Sequence, residues 1–425
     1  MKKYEKRIAD GLLARKLEGM GAVLVQGAKW CGKTTTCEQI ARSALYMGDP
    51  VRRKERLEMA SIDISALLDG ARPRLIDEWQ VAPAFWDAVR HAVDHADHPG
   101  QFILTGSVVP PRSDEISHSG TGRIARLTMR PMTLWESGES SGAVSLGGLF
   151  SGRAPETGRA REWSLGDIAW RVCRGGWPQA VLWKGDVALD LALEYVGAVA
   201  DEDISRVDGV KRDPARARRL LRSYARLQGT QANLRVLKCD MAGGGIDAPD
   251  EDTVASYRKA LEKLFVVEDM PAWCPNLRCK TPVRTSDTRY FADPSIATAA
   301  LGLGPGDLMN DLTSFGFFFE TMAVRDLRVY AEALGGSVAH YRDAGGLECD
   351  AVIHLRNGAY GLAEIKLGGD VLVEEGAKTL AAFAAKIDTG AMKEPAFRMV
   401  VTAVGDFAYH RRDGVFVCPL AALGP

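Results

Sequence analysis

A glycine-rich segment near the amino terminus has the spacing of a phosphate-binding loop. It matches the pattern G-x-x-x-x-G-K-[ST] and follows a short apolar run at residues 21–26. In this pattern backbone N–H groups surround phosphates, a lysine supplies positive charge and a hydroxyl binds Mg²⁺. The sequence therefore predicts an ATP site in which Thr34 is a metal ligand. The residues expected to hold ATP are Gly27, Ala28, Lys29, Trp30, Cys31, Gly32, Lys33, Thr34 and Thr35.

A pair of carboxylates follows a second short apolar run. Asp77 and Glu78 come directly after Leu75 and Ile76. At the end of a strand beside a phosphate loop, Asp77 would hold Mg²⁺ through water and Glu78 would polarise the attacking water. A solvated surface pair is the alternative. Together with the loop, the pair predicts hydrolysis of ATP to ADP and phosphate.

A third apolar run and a set of arginines could complete the hydrolytic site. Residues 102–107 end in small hydroxyl side chains, and Ser107 could orient the lytic water; a simple strand-to-loop turn is the alternative. Arg123 is a candidate arginine finger, because a cation there would neutralise charge developing on the γ-phosphate. Arg126 and Arg130 compete with it for that role.

A second set of polar residues lies near the carboxyl terminus. Glu320 falls in a predicted helix, Asp350 opens a predicted strand, and Glu364 and Lys366 lie two apart on the next strand, hence on one face. The arrangement resembles the core of PD-(D/E)xK nucleases, where two carboxylates hold Mg²⁺ and a lysine positions or activates water. Asp350 and Glu364 would be the metal ligands. A domain that has lost catalysis and serves recognition is the alternative.

The turn between these strands decides whether such a site can form. Asn357-Gly358 favours a two-residue hairpin. Asp350 would then pair with Ile365 and lie on the face opposite Glu364. A three-residue loop with Gly358 in the left-handed conformation, or a bulge, is expected to pair Asp350 with Lys366, on the same face as Glu364. We predict this shifted register.

Residues 206–226 are strongly basic, with eight cationic side chains against Asp208 and Asp213. On the predicted helix the last three basic residues share one face. Such a stripe would bind phosphates of DNA. A solvated helix face, or a surface contacting acidic residues 201–203, is the alternative. The basic residues are Arg206, Lys211, Arg212, Arg216, Arg218, Arg219, Arg222 and Arg226.

Residues 231–300 have the pattern of a winged helix, with short helices followed by strands. The segment 253–263 is the candidate recognition helix, because it carries Tyr257, Arg258, Lys259 and Lys263. Winged helices also act as spacers or bind proteins, so DNA contact and these roles remain alternatives.

Short apolar runs alternate with helical patterns over residues 5–104, which predicts a parallel α/β sheet. Helices are expected at 5–18, 33–45 and 85–93. The Gly- and Ser-rich segment 137–159 is expected to be a loop or insertion, and 160–230 to be helical.

The composition of the 425 residues is that of a globular protein, with 46% hydrophobic and 26% charged residues. The net charge of −1 favours neither nucleic acid nor an anionic membrane globally. No stretch of about 18 apolar residues or signal-peptide pattern occurs, so we expect a cytoplasmic protein that does not enter a membrane. The eight cysteines lack a Cys-x-x-Cys pair, and we expect free thiols.

The order of these motifs resembles a family of bacterial and archaeal AAA+ ATPases that carry a C-terminal domain of unknown function 4143. The resemblance covers almost the whole chain; only 137–159 has no counterpart. It implies ATP binding and the architecture of the chain. Besides the phosphate loop and the C-terminal pattern, the matching segments are 75–80 (LIDEWQ), 104–107 (LTGS), 122–123 (GR), 130–136 (RPMTLWE) and 175–178 (GGWP).

These observations predict an AAA+ P-loop core with a parallel sheet at 1–135, a helical lid with an insertion at 136–230, a winged helix at 231–305 and a restriction-endonuclease-like α/β domain at 306–425. We expect an Mg²⁺-dependent ATPase that acts on DNA or is regulated by it, with a nuclease-like domain. An ATP-driven switch whose C-terminal domains bind proteins without catalysis is the alternative, and a small-molecule kinase is a more distant one. An oligomer is compatible with either function.

Overall fold

The computed structural model describes residues 4–106, 119–242, 249–274, 286–390 and 392–425. The chain divides into two compact units. The first unit comprises residues 1–131, 201–213 and 259–266, and the second unit comprises residues 132–200, 214–258 and 267–425.

The first unit is built on a five-stranded parallel sheet with the order β2-β3-β4-β1-β5, as the alternation of strands and helices predicts. Because the strands are parallel, the carboxyl ends of neighbouring β3, β4 and β1 meet at one edge. The strands are β1 (Ala22–Gln26), β2 (Ser43–Tyr46), β3 (Arg74–Asp77), β4 (Phe102–Gly106) and β5 (Ile124–Thr128). The helices are α1 (Ile8–Gly19), α2 (Lys33–Glu38), α3 (Arg53–Ile62), α4 (Ile64–Leu67), α5 (Phe85–Asp94) and α10 (Ile204–Arg206).

The helix after the phosphate loop is shorter than the sequence predicts. The expected helix over 33–45 ends at Glu38, and the strand β2 begins at Ser43. Three consecutive threonines occupy the first half of α2, and β-branched residues are weak helix formers. The apolar residues that follow are better accommodated by pairing with β3.

A mixed seven-stranded sheet with the order β7-β12-β13-β11-β10-β9-β8 organises the second unit. Its strands are β7 (Thr157–Arg159), β8 (Gly336–Arg342), β9 (Glu348–Leu355), β10 (Tyr360–Lys366), β11 (Arg398–Thr402), β12 (Phe407–His410) and β13 (Phe416–Pro419). A separate parallel pair is formed by β6 (Val144–Ser145) and β14 (Leu423–Gly424).

The remaining helices follow, and the last two of them pack against this sheet. They are α6 (Leu146–Phe150), α7 (Leu165–Arg174), α8 (Pro178–Leu182), α9 (Val187–Ala198), α11 (Pro214–Arg226), α12 (Leu234–Met241), α13 (Glu251–Lys263), α14 (Pro294–Leu301), α15 (Pro305–Asn310), α16 (Leu312–Ala333) and α17 (Asp370–Lys386). The last residues of α13 belong to the first unit. One face of α17 is buried through Val373, Ala377, Leu380 and Phe383, whose spacing is that of an amphipathic helix.

The expectation of a loop or insertion at 137–159 is wrong for residues 144–150 and 157–159, which form two short strands and a short helix. Strand β7 pairs with β12 at the edge of the C-terminal sheet, and β6 pairs with β14 at the end of the chain. The glycines hide these strands in the sequence but allow close packing: a Cβ on Gly158 would lie 3.0 Å from Cγ2 of Val144. The segment therefore completes the C-terminal sheet.

Two motifs of the family pattern meet in a buried ionic network. Arg325 on α16 contacts the carboxylates of Asp293 (2.8 Å) and Asp326 (2.7 Å), and all three side chains are almost fully buried. Asp326 accepts from the backbone N–H of Leu134 (2.9 Å), and Asp293 from that of Gly176 (2.9 Å). Removing one partner of such a network leaves an uncompensated buried charge, which costs about 3–5 kcal/mol. We therefore assign these motifs a structural role.

Two further observations concern the described residues. None of the helices in the described ranges is both long and apolar enough to cross a bilayer. Cys31, Cys37, Cys173, Cys239, Cys349 and Cys418 are free thiols, as expected, but Cys274 is disulfide-bonded, so the expectation fails there.

Candidate functional site

The phosphate loop has a backbone that its glycines make possible. It leaves β1 at Gly27, whose φ is 151°, and enters α2 through Gly32, which has a left-handed φ of 100°. A Cβ on Gly27 would lie 2.0 Å from the backbone oxygen of Met129, so no larger residue fits there. The N-terminus of α2 directs its N–H groups into the loop, as anion binding requires.

The loop lysine is folded against its own loop. Lys33 is buried, and its Nζ donates to the backbone oxygens of Gly27 (2.9 Å) and Ala28 (2.8 Å). This places the ammonium group inside the loop at the N-terminus of α2. The ammonium is thus held where a phosphate group would be bound.

Two contacts that hold the loop were not predicted from the sequence. The buried Arg7 donates to the backbone oxygens of Cys31 (2.9 Å) and Arg130 (2.8 Å). Lys29 forms an ion pair of 2.6 Å with the buried carboxylate of Asp203. Arg7 and Asp203 are distant in sequence from the loop and belong to no local motif, so only the fold reveals them.

Hydrogen bonds between three side chains connect the loop to the edge of the sheet. The carboxylate of Asp77, at the end of β3, accepts from the hydroxyls of Thr34 (2.7 Å) and Thr105 (2.5 Å). Mg²⁺ takes oxygen ligands and usually keeps several waters while protein contributes one or two groups. Thr34 and Asp77 lie close enough to serve one ion, so the residues present fit the expected Mg²⁺. Thr105 lies on β4, between β3, which ends at Asp77, and β1, which leads into the phosphate loop.

Glu78 follows Asp77 in a left-handed conformation, with φ of 57°, which is uncommon for a residue with a side chain. Its carboxylate accepts a hydrogen bond from the side-chain amide of Gln80. Burial raises the pKa of Glu78 above its ordinary value, and the charge of Asp77 raises it further, while Lys33 lowers it. A carboxylate with a raised pKa is the better proton acceptor.

The remaining predicted residues of this site are not brought to it. Ser107 lies outside the described residues, and Thr105 is the described hydroxyl at the end of that strand. Arg123 precedes β5, at the edge of the sheet opposite the phosphate loop, and forms an ion pair of 2.7 Å with Asp94. It does not reach the site of its own chain. Its competitor Arg130 lies at the phosphate edge, where its backbone oxygen is held by Arg7.

The C-terminal hairpin has the predicted loop but not the predicted pairing. Arg356, Asn357 and Gly358 form a three-residue loop, and Gly358 has φ of 80°. Tyr360 pairs with His354 and Ala363 with Ala351. Continued by one residue, this register sets Asp350 opposite Glu364 and not opposite Lys366. The predicted pairing is therefore wrong by two residues. Because a shift of two preserves the face, the conclusion that Asp350 and Glu364 share a face holds.

The three C-terminal polar groups of β9 and β10 are in contact. The Nζ of Lys366 lies 2.7 Å from the carboxylate of Glu364 and 3.4 Å from that of Asp350. Asp350 also accepts from the backbone N–H of Ile365 (2.8 Å). The lysine thus occupies the space between the two carboxylates.

Burial and mutual repulsion shift the protonation of this cluster. Burial raises the pKa of Glu364 to about 8, and the charge of Asp350 adds to the effect. Burial and Asp350 likewise raise the pKa of Glu320 well above its ordinary value; its carboxylate accepts from the hydroxyl of Tyr290. Although burial alone would lower it, the carboxylates of Asp350 and Glu364 raise the pKa of Lys366. We call Glu320, Asp350, Glu364 and Lys366 the carboxylate–lysine cluster.

Within the described part of the chain, no group of three or more His, Cys, Asp or Glu side chains is arranged to hold a metal ion. In the carboxylate–lysine cluster Asp350 and Glu364 could supply oxygen ligands, but a cation bound to both would displace the ammonium of Lys366. The chemistry of the donors thus suits Mg²⁺ less well here than at Thr34 and Asp77.

The basic stretch is split between the two units and is partly neutralised. Arg206 pairs with Glu202 (3.0 Å), within the acidic segment that the alternative interpretation named, and Arg212 with Asp208 (2.6 Å). On α11, Arg226 pairs with Asp240. Arg222 is exposed and Arg219 half-buried on the same helix.

Three of the four named residues of the predicted recognition helix are buried or paired within the chain. On α13, Tyr257 is buried, and Arg258 pairs with Asp269 (3.1 Å). Lys263 pairs with Asp208 (3.6 Å), whereas Lys259 is exposed. The following chain forms antiparallel bridges between Val267 and Phe291 and between Met270 and Thr288. Within the described part of 231–300, helices α12 and α13 are thus followed by isolated bridges and not by the expected strands.

Three family models match consecutive parts of the chain. Residues 20–137 match the model of an AAA domain. Residues 166–307 match a domain of unknown function (DUF8612), and residues 315–423 match a domain of unknown function (DUF4143).

Among curated proteins, uncharacterized proteins of Mycobacterium bovis and Mycobacterium tuberculosis are each 24% identical over 370 residues, which is 85% of this chain and 74% of theirs. Among solved structures, a Walker-type ATPase of Pyrococcus abyssi aligns at 13% identity over 70% of this chain and 96% of that one, with a TM-score of 0.42. The Orc1 protein of Aeropyrum pernix in complex with DNA aligns at 14% identity over 71% and 94%, with a TM-score of 0.23.

The motifs of the first unit fall inside the matched AAA domain, and the carboxylate–lysine cluster falls inside the matched C-terminal domain. The chain therefore carries an AAA domain with a P-loop nucleotide site, followed by the domains of unknown function DUF8612 and DUF4143.

Proposed function

We propose that the chain is a Mg²⁺-dependent ATPase that converts ATP and water to ADP and phosphate at the P-loop. The observation that carries this proposal is the contact chain Thr34–Asp77–Thr105, at 2.7 and 2.5 Å, beside Glu78. Two metal ligands, a hydroxyl and a candidate base meet at the end of neighbouring parallel strands. Phosphoryl transfer needs mainly such positioning and electrostatic stabilisation.

Each residue has a distinct role in this proposal. The loop N–H groups and Lys33 bind the phosphates, and Thr34 and Asp77 hold Mg²⁺, which neutralises charge on the β- and γ-phosphates. Glu78 accepts a proton from, or polarises, the attacking water. Arg123 pairs with Asp94 at the opposite edge of the sheet, so it could act as an arginine finger only at the site of a second copy of the chain, whereas Arg130 lies at the phosphate edge of its own chain.

We further propose that DNA regulates the ATPase. The exposed Arg222 and half-buried Arg219 on α11 support a phosphate contact, and the order of α11, α12, α13 and the antiparallel bridges supports a winged helix. The ion pairs of Arg212 and Arg226 reduce the available charge. An ATP-driven switch that binds only proteins is the competing function.

Charge reversal at Arg219 and Arg222 tests this proposal. ATP turnover should rise when single- or double-stranded DNA is added, and the rise should fall with salt because phosphate contacts release counterions. The double variant Arg219→Glu/Arg222→Glu should lose the stimulation but keep basal turnover. The control Arg53→Glu/Lys54→Glu makes the same charge change on the exposed surface of α3. Turnover that is indifferent to DNA at every salt concentration favours the protein-binding switch.

The carboxylate–lysine cluster supports a second candidate activity, Mg²⁺-dependent cleavage of DNA. The supporting observation is that Asp350, Glu364 and Lys366 share a face and lie within 2.7–3.4 Å contacts. If the site cleaves, Lys366→Ala should reduce plasmid nicking by about 100-fold, the scale of a lost acid–base or positioning group. Lys378→Ala, at an exposed position on α17, is the control.

The pH dependence of nicking follows from Glu364. Its pKa of about 8 means that the carboxyl is protonated, and a poor metal ligand, below that pH. Nicking at low Mg²⁺ should therefore rise as pH increases through about 8, and excess Mg²⁺ should move the rise to lower pH. If the wild-type chain leaves DNA intact under all these conditions, we assign the C-terminal domain to recognition and not to cleavage.

A further inference from the structure

The turn after β3 places a glutamine beside the proposed base. Residues 79–81 form a single turn of 3-10 helix directly after Glu78, and the backbone N–H of Val81 donates to the backbone oxygen of Glu78 (3.0 Å). The side-chain amide of Gln80 donates to one carboxylate oxygen of Glu78, Oε2. Among the described residues, this is the one hydrogen bond that the carboxylate receives. The orientation of the Glu78 carboxylate therefore depends on Gln80.

The backbone that carries this pair is fixed by the core of the first unit. Trp79, which lies between the two residues in sequence, is buried, and its ring lies 5.1 Å from that of Trp86 on α5. Both indoles belong to the same hydrophobic cluster. Glu78 has the left-handed φ of 57°, a conformation that is unfavourable for a residue with a side chain. An unfavourable conformation that the surrounding packing maintains is typical of functional positions.

The amide of Gln80 also lies against the end of β4. A Cβ on Gly106, the last residue of that strand, would lie 2.6 Å from Oε1 of Gln80, so a larger residue there would displace the amide. The residue before it on β4 is Thr105, whose hydroxyl contacts the carboxylate of Asp77. Gln80 is thus held between Glu78 and the strand that carries the Thr105 hydroxyl.

The oxygen of the same amide gives no reason for a glutamine at this position. Oε1 of Gln80 is buried and has no hydrogen-bond partner among the described residues. A buried acceptor without a partner makes the folded state less stable than an apolar group of the same shape would. The amide is therefore explained by the hydrogen bond that its nitrogen donates to Glu78, and not by a contribution to stability.

We infer that Gln80 is a positioning residue for ATP hydrolysis and acts through Glu78. By donating to Oε2 of Glu78, it restricts the rotation of the carboxylate and leaves Oε1 to accept from the attacking water. An ionised carboxylate accepts at both oxygens, so the two contacts are compatible. Holding the base in place contributes to the rate, because a small misplacement of a reacting group slows the reaction severely. The inference rests on the proposed role of Glu78 and adds the residue that orients it.

A double-mutant cycle with Glu78 tests the inference in the full-length chain. Gln80→Met keeps the length of the side chain and removes the donor. Alone, it should slow phosphate release at saturating ATP about 10- to 100-fold, the effect of losing a hydrogen bond to a charged group. ATP affinity in calorimetry should be unchanged, and the melting temperature should not fall. In the Glu78→Gln background the same change should slow release by no more than about twofold, because the residue that Gln80 positions is no longer a base.

Gln179→Met, at an exposed position on α8, makes the same chemical change in the second unit and should alter neither phosphate release nor ATP affinity. Release at the wild-type rate by Gln80→Met, while Glu78→Gln is slow, would overturn this inference alone. So would a loss that multiplies the loss caused by Glu78→Gln, because Gln80 would then act independently of the base. Release at the wild-type rate by Glu78→Gln would instead overturn the proposed role of Glu78, and the role of Gln80 with it.

Discussion

The Glu78→Gln variant should bind ATP like the wild type and hydrolyse it about 100-fold or more slowly. Glutamine keeps the size of the side chain and can still accept from Gln80, so the left-handed turn after β3 should persist. It cannot accept a proton from water. The contacts of Lys33, Thr34 and Asp77, which we propose bind phosphates and Mg²⁺, are untouched.

Phosphate release under saturating ATP, together with calorimetric titration, measures the two steps separately. Glu55→Gln, at an exposed position on α3, makes the same chemical change away from the site and should leave both unchanged. Normal hydrolysis by Glu78→Gln would mean that another group positions the water. Loss of ATP binding would mean that Glu78 supports the loop and not the chemistry.

The Lys33→Ala variant should lose both affinity and turnover. A hydrogen bond to a charged group contributes about 1.5–3 kcal/mol, so ATP affinity should fall about 10- to 100-fold. The substitution also removes the donor that satisfies the backbone oxygens of Gly27 and Ala28. Lys54→Ala, at a side chain that is 91% exposed, is the control for loss of a positive charge. Unchanged affinity in calorimetry would contradict the assigned role of Lys33.

The sequence predicts the position and backbone of the phosphate loop because its determinants are local. Gly27, Gly32 and Lys33 act through one loop, and the spacing alone sets the backbone that the phosphate requires. Asp77 was found because a carboxylate at the end of a strand after such a loop has few other uses. The contact between Asp77 and Thr105 depends on the position of β4 between β1 and β3, which is set by the strand order of the sheet.

Contacts between distant residues could not be predicted. Arg7 and Asp203 hold the loop from positions that carry no motif. Three arginines of 206–226 have acidic partners that only the fold identifies. The hairpin shows how far local rules extend. The left-handed Gly358 and the shared face of Asp350 and Glu364 followed from turn chemistry, but the pairing did not, because the three-residue loop begins one residue earlier than expected, which shifts each pairing by two.

Segment 137–159 illustrates a different limit. Glycine and serine favour loops, yet β6 and β7 are strands because neighbouring C-terminal strands offer them backbone partners. Such edge strands depend on tertiary pairing and not on intrinsic propensity. Composition therefore indicated the wrong structure for residues 144–150 and 157–159 of this segment.

Release of phosphate from ATP, measured in Mg²⁺ and again after Mg²⁺ is removed by a chelator, tests the central claim most directly. We expect the wild-type chain to release phosphate only with Mg²⁺. Glu78→Gln should bind ATP but release much less phosphate than the wild type, and Lys33→Ala should bind ATP weakly and release little phosphate. Phosphate release by the wild-type chain that persists without Mg²⁺ would contradict ATP hydrolysis at the site formed by Thr34, Asp77 and Glu78. Phosphate release by Lys33→Ala at the wild-type level would contradict it as well.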